Sequence, residues 1–116
     1  MRMAKPKYPR PNDELIDESI QGASRFASFS DPRIVVLSME RIVPREMIVL
    51  DDDLVDLMRE APETVPPIVV APWGDVHVVV DGHHRLAGSF EARLDPIWAI
   101  EVNLKKLKHL AWPAWY

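Results

Sequence analysis

Between Ile68 and Ala87 two valine-rich stretches run, with no spacer, into a short polar cluster, and this order leaves few ways to fold. Ile68-Val69-Val70-Ala71 and Val76 to Val80 are β-branched runs of strand length, and the first is preceded by Pro66-Pro67, where a missing N–H is tolerated. Pro72-Trp73-Gly74-Asp75 between them places glycine where a type II turn needs positive φ, which predicts an antiparallel hairpin. On the returning strand, alternation puts Val76, Val78 and Val80 on one face and His77, Val79 and Asp81 on the other. A helix packing Leu86, Phe90 and Leu94 must then start around Arg85 and stop before Asp95-Pro96.

The remaining elements follow from local signals. Asn12 or Asp13 can cap a helix with Leu15, Ile16, Ser19, Ile20 and Ala23 near one face. Ser28 to Pro32 reads as a turn before a strand over Arg33–Leu37, and Pro44 stops the structure that follows. Asp51-Asp52-Asp53 places carboxylates where a helix N-terminus favours them; Leu54, Leu57, Met58 and Ala61 then recur at helical spacing until Pro62. Ile97–Val102 reads as a strand, and Asn103–Leu110 as a closing helix packing Leu104, Leu107 and Leu110 beneath Lys105, Lys106 and Lys108. The expected class is α+β, a small mixed sheet with flanking helices. At 116 residues the chain supports a single domain over 13–116, preceded by a basic, proline-rich solvated arm over 1–12.

Composition removes several chemistries. Without cysteine there is no disulfide, thiolate zinc site or thiol nucleophile. A formal net charge of -4 argues against a nucleic-acid-coating surface, although Arg2, Lys5, Lys7 and Arg10 make the start locally basic. No segment has membrane-spanning length and the N-terminus lacks the apolar run of a secretory signal, so the expectation is a cytoplasmic protein without membrane contact.

The chemistry concentrates at Asp81-Gly82-His83-His84-Arg85. A strand ends at an acid and a glycine and a helix starts at once, so the amides of its first turn and its dipole face whatever lies beyond Gly82. His83, His84 and Arg85 add side-chain donors, arginine being suited to a bidentate grip on phosphate. The bland alternative is a capping Asp81, two solvated histidines and an Arg85 paired with Glu91 or Asp95. Standard metal-ligand spacings are absent among His77, Asp81, His83 and His84, which leaves magnesium carried in by a nucleotide, with Asp81 as its carboxylate.

From Ile34 through Ile42-Val43-Pro44, Leu54 to Glu60, Pro67 to Val70 and Asp81 to Ala87, over about residues 34–102, the chain resembles the ParB/sulfiredoxin superfamily. In that superfamily a Gly-x-x-Arg turn before a helix binds nucleotide phosphates, which implies this role for Gly82, His83, His84 and Arg85. Sulfiredoxins carry cysteine where His83 stands, so sulfinic-acid repair is excluded. Residues 103–116 are too few for the helix-turn-helix reader of partition proteins, so DNA reading of that kind is not expected.

The free serine kinases of the superfamily place a catalytic glutamate just after an Ile-x-Pro element. The resemblance therefore implies Glu46 as general base and Asp81 as an orienting or magnesium-bound carboxylate, with ATP or ADP, or else CTP, as nucleotide and a small hydroxyl-bearing substrate. The alternative is a partition- or mobile-element-type module, nuclease-like or nucleotide-switched, contacting DNA or a partner through its basic termini. Trp112, Trp115 and Tyr116 are expected to pack back on the core or to form a dimer surface.

Overall fold

The computed structural model describes residues 4–46 and 50–107. Its elements are α1 (Asp13–Ser24), β1 (Ala27–Leu37), a 3-10 turn at Met39–Arg41, β2 (Ile42–Val43), α2 (Asp52–Glu60), a second 3-10 turn at Pro62–Thr64, β3 (Ile68–Trp73), β4 (Val76–Asp81), α3 (His83–Glu91) and β5 (Ile97–Leu107). The strands form one mixed sheet in the order β1-β5-β3-β4-β2, so the chain is of the α+β class with a mixed sheet and helices against it. β1 with β5 and β3 with β4 are antiparallel; β3 with β5 and β2 with β4 are parallel.

The helices begin where the local chemistry dictates. Asn12 caps α1 by accepting from the Leu15 N–H, and Asp51 caps α2 by accepting from Asp53 and Leu54. The β3–β4 hairpin closes on Gly74 and Asp75, with Gly74 at φ +59°. Positive φ thus falls on the first central residue and not the second, the arrangement of a II′ turn rather than the expected type II, because its twist matches that of the flanking strands.

Alternation along the strands divides the core into two halves. Val69, Ala71, Val80, Ile100 and Val102 pack with Ala23, Ile16 and Ile20 of α1. Ile68, Val70, Val79, Ile97 and Ala99 pack with Met58 of α2 and Leu86 of α3 on the opposite face. Val69, Val70, Val79 and Ile100 are fully buried, each worth about 1.5–3 kcal/mol of apolar transfer.

Three expectations are corrected. Ser28 to Pro32 is not a separate turn, because β1 runs from Ala27 and absorbs Asp31 (φ +55°) and Pro32 in a bulge between Ser30 and Arg33. Since β1 is an edge strand, this bulge and the proline also interrupt the row of open backbone groups. Asn103–Leu107 is strand, not helix: Ala27 to Ser30 pair with Asn103, Leu104, Lys106 and Leu107, and Leu104 joins the α1-side core. The rest of that expected helix, with Lys108 and the C-terminal aromatics, lies outside the described residues. The solvated arm ends earlier than Asn12: the Trp98 backbone N–H donates to the Tyr8 hydroxyl, the Trp98 indole N–H donates to the Tyr8 carbonyl, and Pro11 is fully buried.

A polar ladder crosses the sheet beyond the helices. Arg33 and Glu101 are cross-strand partners, and the Arg33 Nε–H donates to one Glu101 oxygen at 2.9 Å. His77 reaches across β3 to the other oxygen at 2.6 Å. Burial pushes the Glu101 pKa up, but the hydrogen bonds from His77 and Arg33 outweigh it and leave the carboxyl below its ordinary value. A depressed folded-state pKa contributes stability that is present above the ordinary carboxylate range and lost as pH falls through the depressed value. Glu101→Gln should therefore lower unfolding free energy by about 1–2 kcal/mol at neutral pH in urea titrations, and the gap to the wild type should close on acidification.

Candidate functional site

The parallel register Ile42↔His77 and Val43↔Val78 carries the segment after β2 to the C-terminal end of β4. Pro44 has no N–H to continue the ladder, and Arg45 takes over with its side chain. Its Nε and Nη2 donate to the carbonyl oxygens of Val79 and Val80. This places Glu46 beside the turn at Gly82, which the linear sequence alone cannot do.

Gly82 has φ +109°, and a Cβ there would lie 2.8 Å from the Ile68 Cγ2 and 3.0 Å from the Arg85 Nη2. Only glycine fits both the conformation and the space. α3 starts immediately, its first helical bond running from the Leu86 N–H to the Gly82 carbonyl at 2.9 Å. Gly82, the residue that precedes the helix, has no side chain with which to cap it. Among the described residues Asp81 does not act as its cap, and the first-turn amides and the positive end of the dipole point toward the turn.

His83, the first residue of α3, is buried, and its Nε2 accepts from the Arg45 backbone N–H at 3.0 Å. The ring proton is thereby assigned to Nδ1, which faces the Glu46 Oε1 at 3.6 Å. Burial pushes the His83 pKa down, the charges of Arg45 and His84 push the same way, and Glu46 and Asp81 oppose them without prevailing. The lowered pKa favours the uncharged imidazole, and its bond to the Arg45 N–H orients the Arg45–Glu46 segment. His84, next on the helix, is exposed.

The Arg85 side chain is largely buried and largely committed. Its Nη1 donates to the carbonyls of Pro66 (3.0 Å) and Pro67 (3.1 Å) and to the Ser19 hydroxyl (3.3 Å), and Ser19 in turn donates to Pro67 at 2.6 Å. Its Nη2 lies 3.5 Å from the Asp81 Oδ2, so the acid partner is Asp81 and not Glu91 or Asp95. The anchored Nη1 leaves the Nε and Nη2 edge facing Gly82. On the α1 side a cavity of about 410 Å³ is lined by Glu18, Ser19, Gln21, Arg25, Asp81 and Arg85.

The structure thus gathers Glu46, Asp81, Gly82, His83 and Arg85 at one strand-helix junction. Sequence reading missed the clamp of Arg45 and the seat that Ser19, Pro66 and Pro67 make for Arg85. The arginine after Ile42-Val43-Pro44 was the available signal for the first; nothing in the sequence signalled the second. Among the described residues no three His, Asp or Glu side chains gather to hold a metal ion. Lys105 and Lys106 are both exposed, at the irregularity where β5 passes Ser28 and Phe29 of β1. No described helix is long and apolar enough to cross a membrane.

No protein-family model matches the chain, and no curated protein matches it in sequence. Among solved structures it is similar to a conserved hypothetical protein from Pyrococcus furiosus, at 24% identity and a TM-score of 0.48, over 60% of this chain and 32% of that one. It is also similar to two mutants of a free serine kinase. One, in complex with AMP, is 20% identical with a TM-score of 0.44; the other, in complex with ADP, is 21% identical with a TM-score of 0.42. Each kinase match covers 83% of this chain and 35% of the other, so the chain spans about a third of the length of the structures it matches. These are similarities of backbone arrangement.

Two outcomes check this geometry. Gly82→Ala should cost about 2–4 kcal/mol in urea unfolding, from positive φ and the collision with Ile68, whereas Gly74→Ala, at positive φ but in open space, should cost about 1 kcal/mol. In NMR titrations the His83 imidazole should remain the Nδ1–H tautomer and titrate below an ordinary histidine, and Glu46→Gln should lower its midpoint further by removing an opposing charge.

Proposed function

We propose that the chain is a ParB/sulfiredoxin-like domain that binds a magnesium nucleotide by its phosphates at the N-terminal end of α3 and uses Glu46 as the general base of phosphoryl transfer or nucleotide hydrolysis. The observation that carries this reading is the delivery of Glu46 to 3.6 Å from the His83 Nδ1, at the first residue of a helix that begins on Gly82. An exposed carboxylate beside a helix N-terminus pairs a proton acceptor with amides that suit an anion.

The donors fit phosphate in kind. The α3 terminus would supply backbone amides, and the guanidinium of Arg85, its Nε and Nη2 edge beside Gly82, would add charge to the same turn. His84, exposed on the first turn of α3, is the further side chain that would face the phosphates. Bound magnesium would neutralise phosphate charge and polarise the transferred group, and Asp81 is the carboxylate that would take a position on it. Glu46 would accept the proton of a substrate hydroxyl or water as that oxygen bonds to the terminal phosphorus and the bond to the bridging oxygen breaks. The neutral His83 keeps its Nδ1–H toward Glu46 and so fixes where the carboxylate waits.

Calorimetric titration with ATP, ADP and AMP, each with and without magnesium, tests the binding half of this reading. Saturable binding of at least one nucleotide is expected, and binding of none overturns it. Glu46→Gln should keep the affinity within about threefold and slow turnover by about 100-fold or more; normal turnover in that variant would remove Glu46 from the mechanism.

A further inference from the structure

Beside the α3 turn runs a second cavity, of about 350 Å³, which the phosphate site does not use. Its walls are Met39, Ile42 and Pro44 on one side and Leu86, Ala87 and Phe90 of α3 on the other, with Leu50 and Glu91 at its rim. Phe90 is 68% exposed and Leu50 48% exposed, although both are large apolar side chains. Core packing does not account for either, since the face of α3 that meets the sheet is carried by Leu86.

Resting on the nucleotide reading above, we infer that this groove seats the nucleobase, with the Phe90 ring as its stacking surface. The groove flanks the turn, since its wall residue Pro44 immediately precedes the Arg45–Glu46 segment that is bonded to His83. Phe90 lies two turns beyond His83, about 10 Å along the helix axis. A nucleoside di- or triphosphate spans a comparable distance from terminal phosphate to base, so phosphates at the helix terminus bring the base alongside Ala87 and Phe90. An apolar trough with one aromatic wall suits a flat heteroaromatic ring and offers nothing to a further phosphate.

Calorimetry on wild type, Phe90→Ala and Phe90→Trp, each with magnesium and either ATP or inorganic tripolyphosphate, tests the assignment. The wild type should bind ATP at least about 10-fold more tightly than tripolyphosphate. Phe90→Ala should weaken ATP by about 10-fold and leave tripolyphosphate unchanged, and Phe90→Trp should keep ATP affinity. Because Phe90 is exposed, thermal melting should show the variants folded. Equal binding of the two ligands by wild type, or an ATP affinity unmoved in Phe90→Ala, overturns the base subsite and leaves the phosphate reading standing. Binding of neither ligand by wild type overturns both. A wild-type dimer that Phe90→Ala turns into a monomer would give the groove to a second copy of the chain and also overturn the inference.

Discussion

The buried guanidinium of Arg85 holds the junction together. Through one nitrogen it satisfies the carbonyls of Pro66 and Pro67, at the entry to β3, and meets Ser19 on α1, while its other terminal nitrogen faces Asp81 at the end of β4. Hydrogen bonds to a charged group contribute about 1.5–3 kcal/mol each, and carbonyls left buried without a donor cost a similar amount. Helix α1, the entry to β3, the exit of β4 and the start of α3 therefore share one charge, and moving any of them leaves a polar group unpaired. The geometry of the Gly82 turn follows, since Ile68 and Arg85 occupy the space that a side chain there would need.

A second arginine does the same on the other flank. Arg45 binds the last carbonyls of β4 with its side chain and offers its backbone N–H to His83. Burial lowers the pKa of both arginines, yet each keeps a carboxylate close enough to oppose the shift: Glu46 and Asp81 for Arg45, Asp81 and Glu18 for Arg85. The two guanidiniums flanking the turn are thus fixed by hydrogen bonds to backbone carbonyls rather than carried on mobile side chains.

Local chemistry made much of the fold legible. The cap at Asp51, the stop at Pro62, the hairpin around Gly74 and the chain reversal at Gly82 each follow from a residue type acting on its own backbone. The errors lie where distant partners decide. Leu104, Leu107 and Leu110 have helical spacing, but a strand partner in Ala27 to Ser30 pairs with Asn103, Leu104, Lys106 and Leu107 in extended form. Asp31 and Pro32 look like a turn, yet β1 carries them as a bulge because Arg33–Leu37 and the residues before them pair with the same strand.

By itself the sequence determined that a strand would end in Asp81-Gly82 and launch a helix bearing His83, His84 and Arg85, and that no cysteine chemistry could occur there. It did so because strand propensity, glycine conformation and side-chain chemistry are local properties. Only the tertiary structure decided what those side chains do: His83 became a neutral acceptor, Arg85 an anchor and Asp81 its counterion. Only the parallel register of β2 against β4 brought Glu46 to the turn. Burial, tautomer and ion pairing depend on neighbours from α1, β2 and the entry to β3, and a linear sequence does not specify which distant backbone comes to lie beside which side chain.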